Sequence, residues 1–104
     1  LFSSMEKGSY LRKHNHLDCL FSGILYLEVG ENVPELSFTN PSPHVKFVNY
    51  YPDDRYFGNF KYKSAPTFKI KPETGMLLLW DAHIEHELDL KTNNEPRKTF
   101  VFNL

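Results

Sequence analysis

Cysteine is almost missing from this chain. One residue, Cys19, in 104 excludes an internal disulfide and any multi-cysteine zinc site, and it fits a reducing, cytoplasmic setting. Charge of a single sign is missing too. Twelve basic residues against 13 acidic leave a formal net charge of -1, so there is no electrostatic case for nucleic acid or an acidic membrane surface. No apolar run reaches transmembrane length, and no signal peptide is visible. No stretch keeps a helical period over the length a helix requires, and there is no internal repeat or low-complexity tract. The length suits one domain, residues 1–104, large enough for a single core and too small for two. The chain opens at Leu1 rather than Met, inside strand-like sequence, which reads as a piece lacking a natural N-terminal segment.

What is present is a series of short strands with turn chemistry between them. Leu1 to Met5 and Ser9 to His14 flank the turn Lys7-Gly8-Ser9. Leu20 to Val29 is a near-continuous apolar run, predicted to be buried on both faces, and Met76 to Trp80 is predicted to be a second buried strand. Leu36 to Thr39 alternates apolar and polar before Asn40-Pro41-Ser42-Pro43 stops it. Val45 to Val48 is a short strand candidate. Thr67 to Lys71 and Ile84 to Leu90 alternate, and Arg97 to Leu104 closes the chain. Most of the seven prolines fall at the joints. About eight short strands point to an all-β sandwich or barrel, of which the jelly roll is the commonest eight-strand solution. Residues 49–65 stand apart as a long loop rich in tyrosine and phenylalanine; it packs over the barrel, forms a subunit interface or serves as a substrate lid.

Chemistry gathers at two places. In an extended strand alternate side chains share a face, so His14, His16 and Asp18 are predicted to project together. Imidazole and carboxylate suit a divalent first-row metal. A second cluster, His83-Ile84-Glu85-His86, comes late in the chain and is followed by Arg97, so a late histidine is expected to close a metal site with the early pair.

The order and spacing of five segments carry a family likeness: His14-Asn15-His16, Ser22-Gly23-Ile24-Leu25-Tyr26, Lys71 to Trp80, Ile84-Glu85-His86, and Arg97 to Asn103. Together the sequence resembles the 2-oxoglutarate/Fe(II)-dependent oxygenases of bacteria and phages. The resemblance covers nearly the whole chain. It implies a double-stranded β-helix, a cupin-like jelly roll, with Fe(II), 2-oxoglutarate and O2 as the reacting partners of an unknown substrate. It further implies that His14 and His16 are early ligands and His86 the distal one. Arg97 would then bind the far carboxylate of 2-oxoglutarate, with Thr99 beside it. Tyr26 is a third donor expected near that carboxylate, because a half-buried phenol needs a polar partner.

Two alternatives stay open in the ligand set. The family pattern selects His14 and His16, giving three histidines. The common two-histidine, one-carboxylate triad selects His16 and Asp18. Between the late histidines, His83 and His86 are predicted to face opposite ways on one strand; His86 is the expected ligand because it shares its face with apolar Ile84. Cys19 and Trp80 read as core, and His44 as a loop residue. Beside the oxygenase stand a cupin-like metalloenzyme without 2-oxoglutarate and a non-catalytic β-sandwich binding module, since one jelly roll can host all three.

Overall fold

The computed structural model describes residues 1–41 and 67–104. The candidate strand at 45–48, His44 and the aromatic stretch 49–65 lie outside the described residues. Those described form eight strands: β1 (Phe2–Ser4), β2 (Leu11–His14), β3 (Phe21–Val29), β4 (Leu36–Thr39), β5 (Thr67–Ile70), β6 (Leu77–Asp81), β7 (His86–Leu88) and β8 (Arg97–Asn103). They make two antiparallel four-stranded sheets, ordered β1-β8-β3-β6 and β2-β7-β4-β5. Strands distant in sequence are neighbours in space, as a jelly roll requires. Among the described residues no helix is long and apolar enough to cross a membrane.

The core lies between the sheets. Ile24 and Tyr26 of β3 meet Leu36 of β4 and Leu88 of β7, with Met5, Phe38, Met76, Leu78, Trp80 and Val101 packed around them. Period-two alternation decides which residues point there. On β3 the buried side chains are Ser22, Ile24 and Tyr26; on β8 they are Arg97 and Thr99. Polar residues thus occupy core positions on two central strands, and that is the feature that leads to the site.

The same alternation corrects the expectation that Leu20 to Val29 and Met76 to Trp80 are buried on both faces. Phe21 and Leu27 of β3 are exposed, and Leu77 and Leu79 of β6 are 61% and 58% exposed. Their runs are continuous because both faces are apolar, yet only one of them meets the second sheet.

Strand ends differ from the sequence expectation at two informative places. β2 stops at His14, and Leu17 and Asp18 lie in a turn. β7 starts only at His86, and Ala82 to Ile84 form a turn instead of leading a longer strand.

Candidate metal centre

His14 ends β2 directly opposite His86, the first residue of β7. His16 lies beyond the strand end, so pleat alone does not aim it. Backbone bonding does: His16 N–H donates to the Ala82 carbonyl at 2.8 Å, and Asn15 Nδ2 donates to the His83 carbonyl at 3.0 Å. These bonds fasten the early histidines onto the turn that precedes His86. The ring centroids of His14, His16 and His86 then lie 4.3–5.7 Å apart. One ligating atom from each falls within 4.8 Å of the other two, the one such group of three among the described residues.

Two of the three rings are oriented by their second nitrogen. His14 Nδ1 lies 2.7 Å from the Arg12 carbonyl and His86 Nδ1 lies 3.1 Å from the Ile84 carbonyl. A carbonyl only accepts, so each Nδ1 is the donor, which leaves Nε2 as the atom that a neutral ring would offer to a metal. Metal-binding histidines are commonly held in this way. Burial pushes the His86 pKa below its ordinary value, and the nearby His14 and His16 push in the same direction, although the bond to Ile84 opposes them. The neutral form, which is the ligating form, is therefore favoured.

A second polar group lies deeper between the sheets. Thr99 of β8 pairs with Tyr26 of β3, and Arg97 lies two residues away on the same face. All three are nearly sealed from solvent: Tyr26 is 0%, Thr99 1% and Arg97 4% exposed. The guanidinium carbon is 5.4 Å from the Tyr26 ring centroid. Tyr26 Oη, Thr99 Oγ1, and Arg97 Nε and Nη2 are all buried without a hydrogen-bond partner of good geometry among the described residues. Burial raises the Tyr26 pKa, with Arg97 pulling the other way, and burial lowers that of Arg97, opposed by Tyr26. An unsatisfied buried polar group costs about 1–3 kcal/mol, more if charged. Of these four atoms two belong to the guanidinium itself and two are hydroxyls on the same inward rows.

The loop before Arg97 is tied down by a residue that sequence reasoning passed over. Lys91 is buried and its Nζ donates to the Asn93 carbonyl at 2.6 Å and to Asn93 Oδ1 at 3.3 Å. Asn93 Oδ1 also accepts from the Glu95 backbone N–H, and its Nδ2 donates to the Asn32 carbonyl. The result is a fixed turn delivering Arg97 to the start of β8. A cleft of about 300 Å³ opens near this end, lined by Glu6, Lys91, Glu95 and Arg97 among others. None of the three histidines lines it, and its mixed charge suits no single ligand.

The sequence matches, over residues 2–103, a family whose model is described as "Putative 2OG-Fe(II) oxygenase". The chain belongs to this family. Among solved structures it is similar to an oxidoreductase of the 2OG-Fe(II) oxygenase family from Burkholderia pseudomallei, with a TM-score of 0.66 at 16% identity. That alignment covers 97% of this chain and 40% of the other, and at this identity the likeness is one of fold. No curated protein matches the sequence.

A 2OG-Fe(II) oxygenase works with Fe(II), 2-oxoglutarate and O2, and the residues present fit these partners. Three imidazoles converge, two of them with Nδ1 engaged by a carbonyl and Nε2 left to ligate, and the orphaned donors of Tyr26, Arg97 and Thr99 match the needs of a buried carboxylate.

Of the expected site residues His86, Arg97, Thr99 and Tyr26 are buried, and His14 and His16 are half-buried beside His86. Asp18 does not join the histidines: it is exposed in the turn after the strand end and is absent from the cluster. His83 is exposed too, but for a reason other than the expected one. It sits on a turn, not on the opposite face of a strand. Cys19 is a free, half-buried thiol. Trp80, expected as core, does pack against the core, and its ring also lies 5.1 Å from that of His86. The pairing of Ser22 with Trp80 across β3 and β6 could have signalled this only if the register had been known.

Proposed function

We propose that residues 1–104 act as one double-stranded β-helix domain that oxidises an organic substrate with Fe(II), 2-oxoglutarate and O2. His14, His16 and His86 serve as the iron ligands in this reading. Arg97, Thr99 and Tyr26 hold the far carboxylate of 2-oxoglutarate. The observation that carries it is the pairing of two sites in one interior: a three-histidine cluster, and a buried guanidinium whose donors lack partners. A cupin-like metal site without 2-oxoglutarate would leave Arg97 Nε and Nη2 unexplained.

Each residue has a physical task. Imidazoles contribute no charge, so a three-histidine site keeps the full double charge of Fe(II), which attracts a dianionic cosubstrate more strongly than a site with a carboxylate ligand would. Bound iron, with 2-oxoglutarate and O2, supplies the oxidising chemistry. Arg97 presents a planar fork that matches a carboxylate bidentately, which lysine lacks. Thr99 and Tyr26 each add a hydroxyl donor. The apolar surround of Ile24, Leu36 and Leu88 excludes water, strengthening these charge-assisted bonds. A cytoplasmic setting suits a site that needs ferrous iron, and the unpaired Cys19 agrees with it.

The test is anaerobic titration of the metal-stripped chain with Fe(II) and then 2-oxoglutarate, watching for the metal-to-ligand charge-transfer band. His16→Ala and His86→Ala should lose tight iron binding, whereas His83→Ala should keep it. Arg97→Ala should weaken 2-oxoglutarate at least about a hundredfold with iron content unchanged, since removing one partner of a buried charge pair costs about 3–5 kcal/mol. Arg97→Lys should recover part of that loss. Normal 2-oxoglutarate binding by Arg97→Ala would defeat the anchor assignment. Iron binding with no 2-oxoglutarate binding by the unaltered chain would pass the lead to the cupin-like alternative.

A further inference from the structure

Trp80 is the one tryptophan of the chain, and its indole nitrogen lies outside the groups assigned to iron and to the far carboxylate. It pairs with Ser22 on the core-facing row of β6. Its ring meets those of His86 and Phe38 nearly edge-on, each centroid 5.1 Å away. The indole nitrogen is a donor only, and when buried it usually has a partner. Here Nε1 is buried with none among the described residues. Phenylalanine would fill an apolar slot without that cost, so packing alone does not call for the nitrogen.

The other four orphaned polar atoms belong to Tyr26, Arg97 and Thr99. The Tyr26–Thr99 pair lies four residues along β3 from the Ser22–Trp80 pair, a separation of about 13 Å at the ordinary strand rise. Trp80 is therefore a separate donor, at the histidine end of the interior. We propose that Trp80 Nε1–H, seated beside His86 and apart from the Arg97 group, donates a hydrogen bond to the metal-proximal carboxylate of the bound 2-oxo acid. This rests on the reading of the site given under Proposed function. The donor type suits the place. A lysine or arginine beside three histidine ligands would repel a divalent cation, whereas a neutral N–H stabilises an anionic oxygen without opposing the metal. Its acceptor is ionised, which makes the bond stronger than one between neutral groups.

The experiment separates the two ends of the cosubstrate. Oxalate carries the chelating near end and no far carboxylate; glutarate carries the far carboxylate and lacks the chelating 2-oxo acid. Each, with 2-oxoglutarate itself, is titrated calorimetrically into the full chain loaded with Zn(II), a redox-inert probe metal. Trp80→Phe should weaken oxalate and 2-oxoglutarate about tenfold or more and affect glutarate less, because glutarate's metal-end carboxylate is not fixed by chelation. Arg97→Ala should show the reverse preference, weakening glutarate and sparing oxalate. In the unaltered chain, oxalate should shift the tryptophan emission, which reports this single residue. Oxalate binding by Trp80→Phe as tight as that of the unaltered chain overturns the proposal, as does an unaltered chain that binds no oxalate. Should Trp80→Phe fail to fold, tryptophan emission that stays unmoved at saturating oxalate overturns it equally. Loss of the Arg97 effect with the Trp80 effect retained would instead strike the anchor assignment and leave the Trp80 bond standing.

Discussion

His86 shows how one residue's surroundings set its chemistry. It is buried, bonded through Nδ1 to Ile84 and close to two other imidazoles. Its pKa lies below the ordinary histidine value of 6.5, mainly because burial disfavours the cation. The sign of the consequence is fixed. Above about pH 6.5 the folded and unfolded forms are both neutral at this residue, and it imposes no penalty. As pH falls through that value the unfolded chain takes up the proton first, so stability is lost until the folded form is protonated as well. The metal-free chain should therefore melt at lower temperature as the pH is brought down from 7 to 5, and His86→Asn should flatten that slope. An identical slope in the variant, followed by circular dichroism, would assign the acid sensitivity elsewhere.

Among the elements, β3 and β8 carry the most. Their inward rows supply the unpartnered donors of Tyr26, Arg97 and Thr99, and their outward rows interlock at Gly23, over which the Phe102 ring lies. A Cβ at Gly23 would meet the ring's Cζ, Cε2 and Cε1 atoms, with Cε2 at 2.5 Å. Glycine stands mid-strand here because a close neighbour occupies the space of a side chain. Gly23→Ala must push the ring outward, and overpacking of this kind costs about 1–3 kcal/mol. Truncating the ring as well, in Gly23→Ala with Phe102→Ala, should give a smaller loss than the two single losses added, because the clash disappears. Additive losses in chemical denaturation would show that the ring is not what excludes the methyl.

At the scale of the whole molecule, the outer face of the first sheet stands out. Phe2, Phe100, Leu25 and Leu77 form one row across all four strands, and Phe102, Gly23 and Leu79 form the next. Contiguous apolar surface of this kind is rare on a monomer in water, and β6 is an edge strand with neither proline nor lysine to blunt it. The 104-residue chain should therefore associate with rising concentration in light scattering, and Leu77→Lys with Leu79→Lys should reduce it. Equal molecular weight at all concentrations for the unaltered chain would contradict this.

Period-two patterning and turn residues by themselves determined the strand series and its all-β class, because side-chain alternation and proline placement act locally. β4 fell where Leu36 to Thr39 predicts it. The family likeness, carried by the order of five segments, singled out His14, His16, His86, Arg97 and Thr99, and the need of a buried phenol for a polar partner singled out Tyr26. Sequence could not show which of His14 and Asp18 lies beside His16 and His86, because that depended on where β2 ends and on the bond from His16 N–H to Ala82. Nor could it tell a strand with two apolar faces from a strand buried on both, since burial depends on what packs opposite. The orphaned donors of Arg97, Thr99 and Trp80 were equally hidden. Composition shows that a polar group exists, but only the packed sheets decide whether it finds a partner.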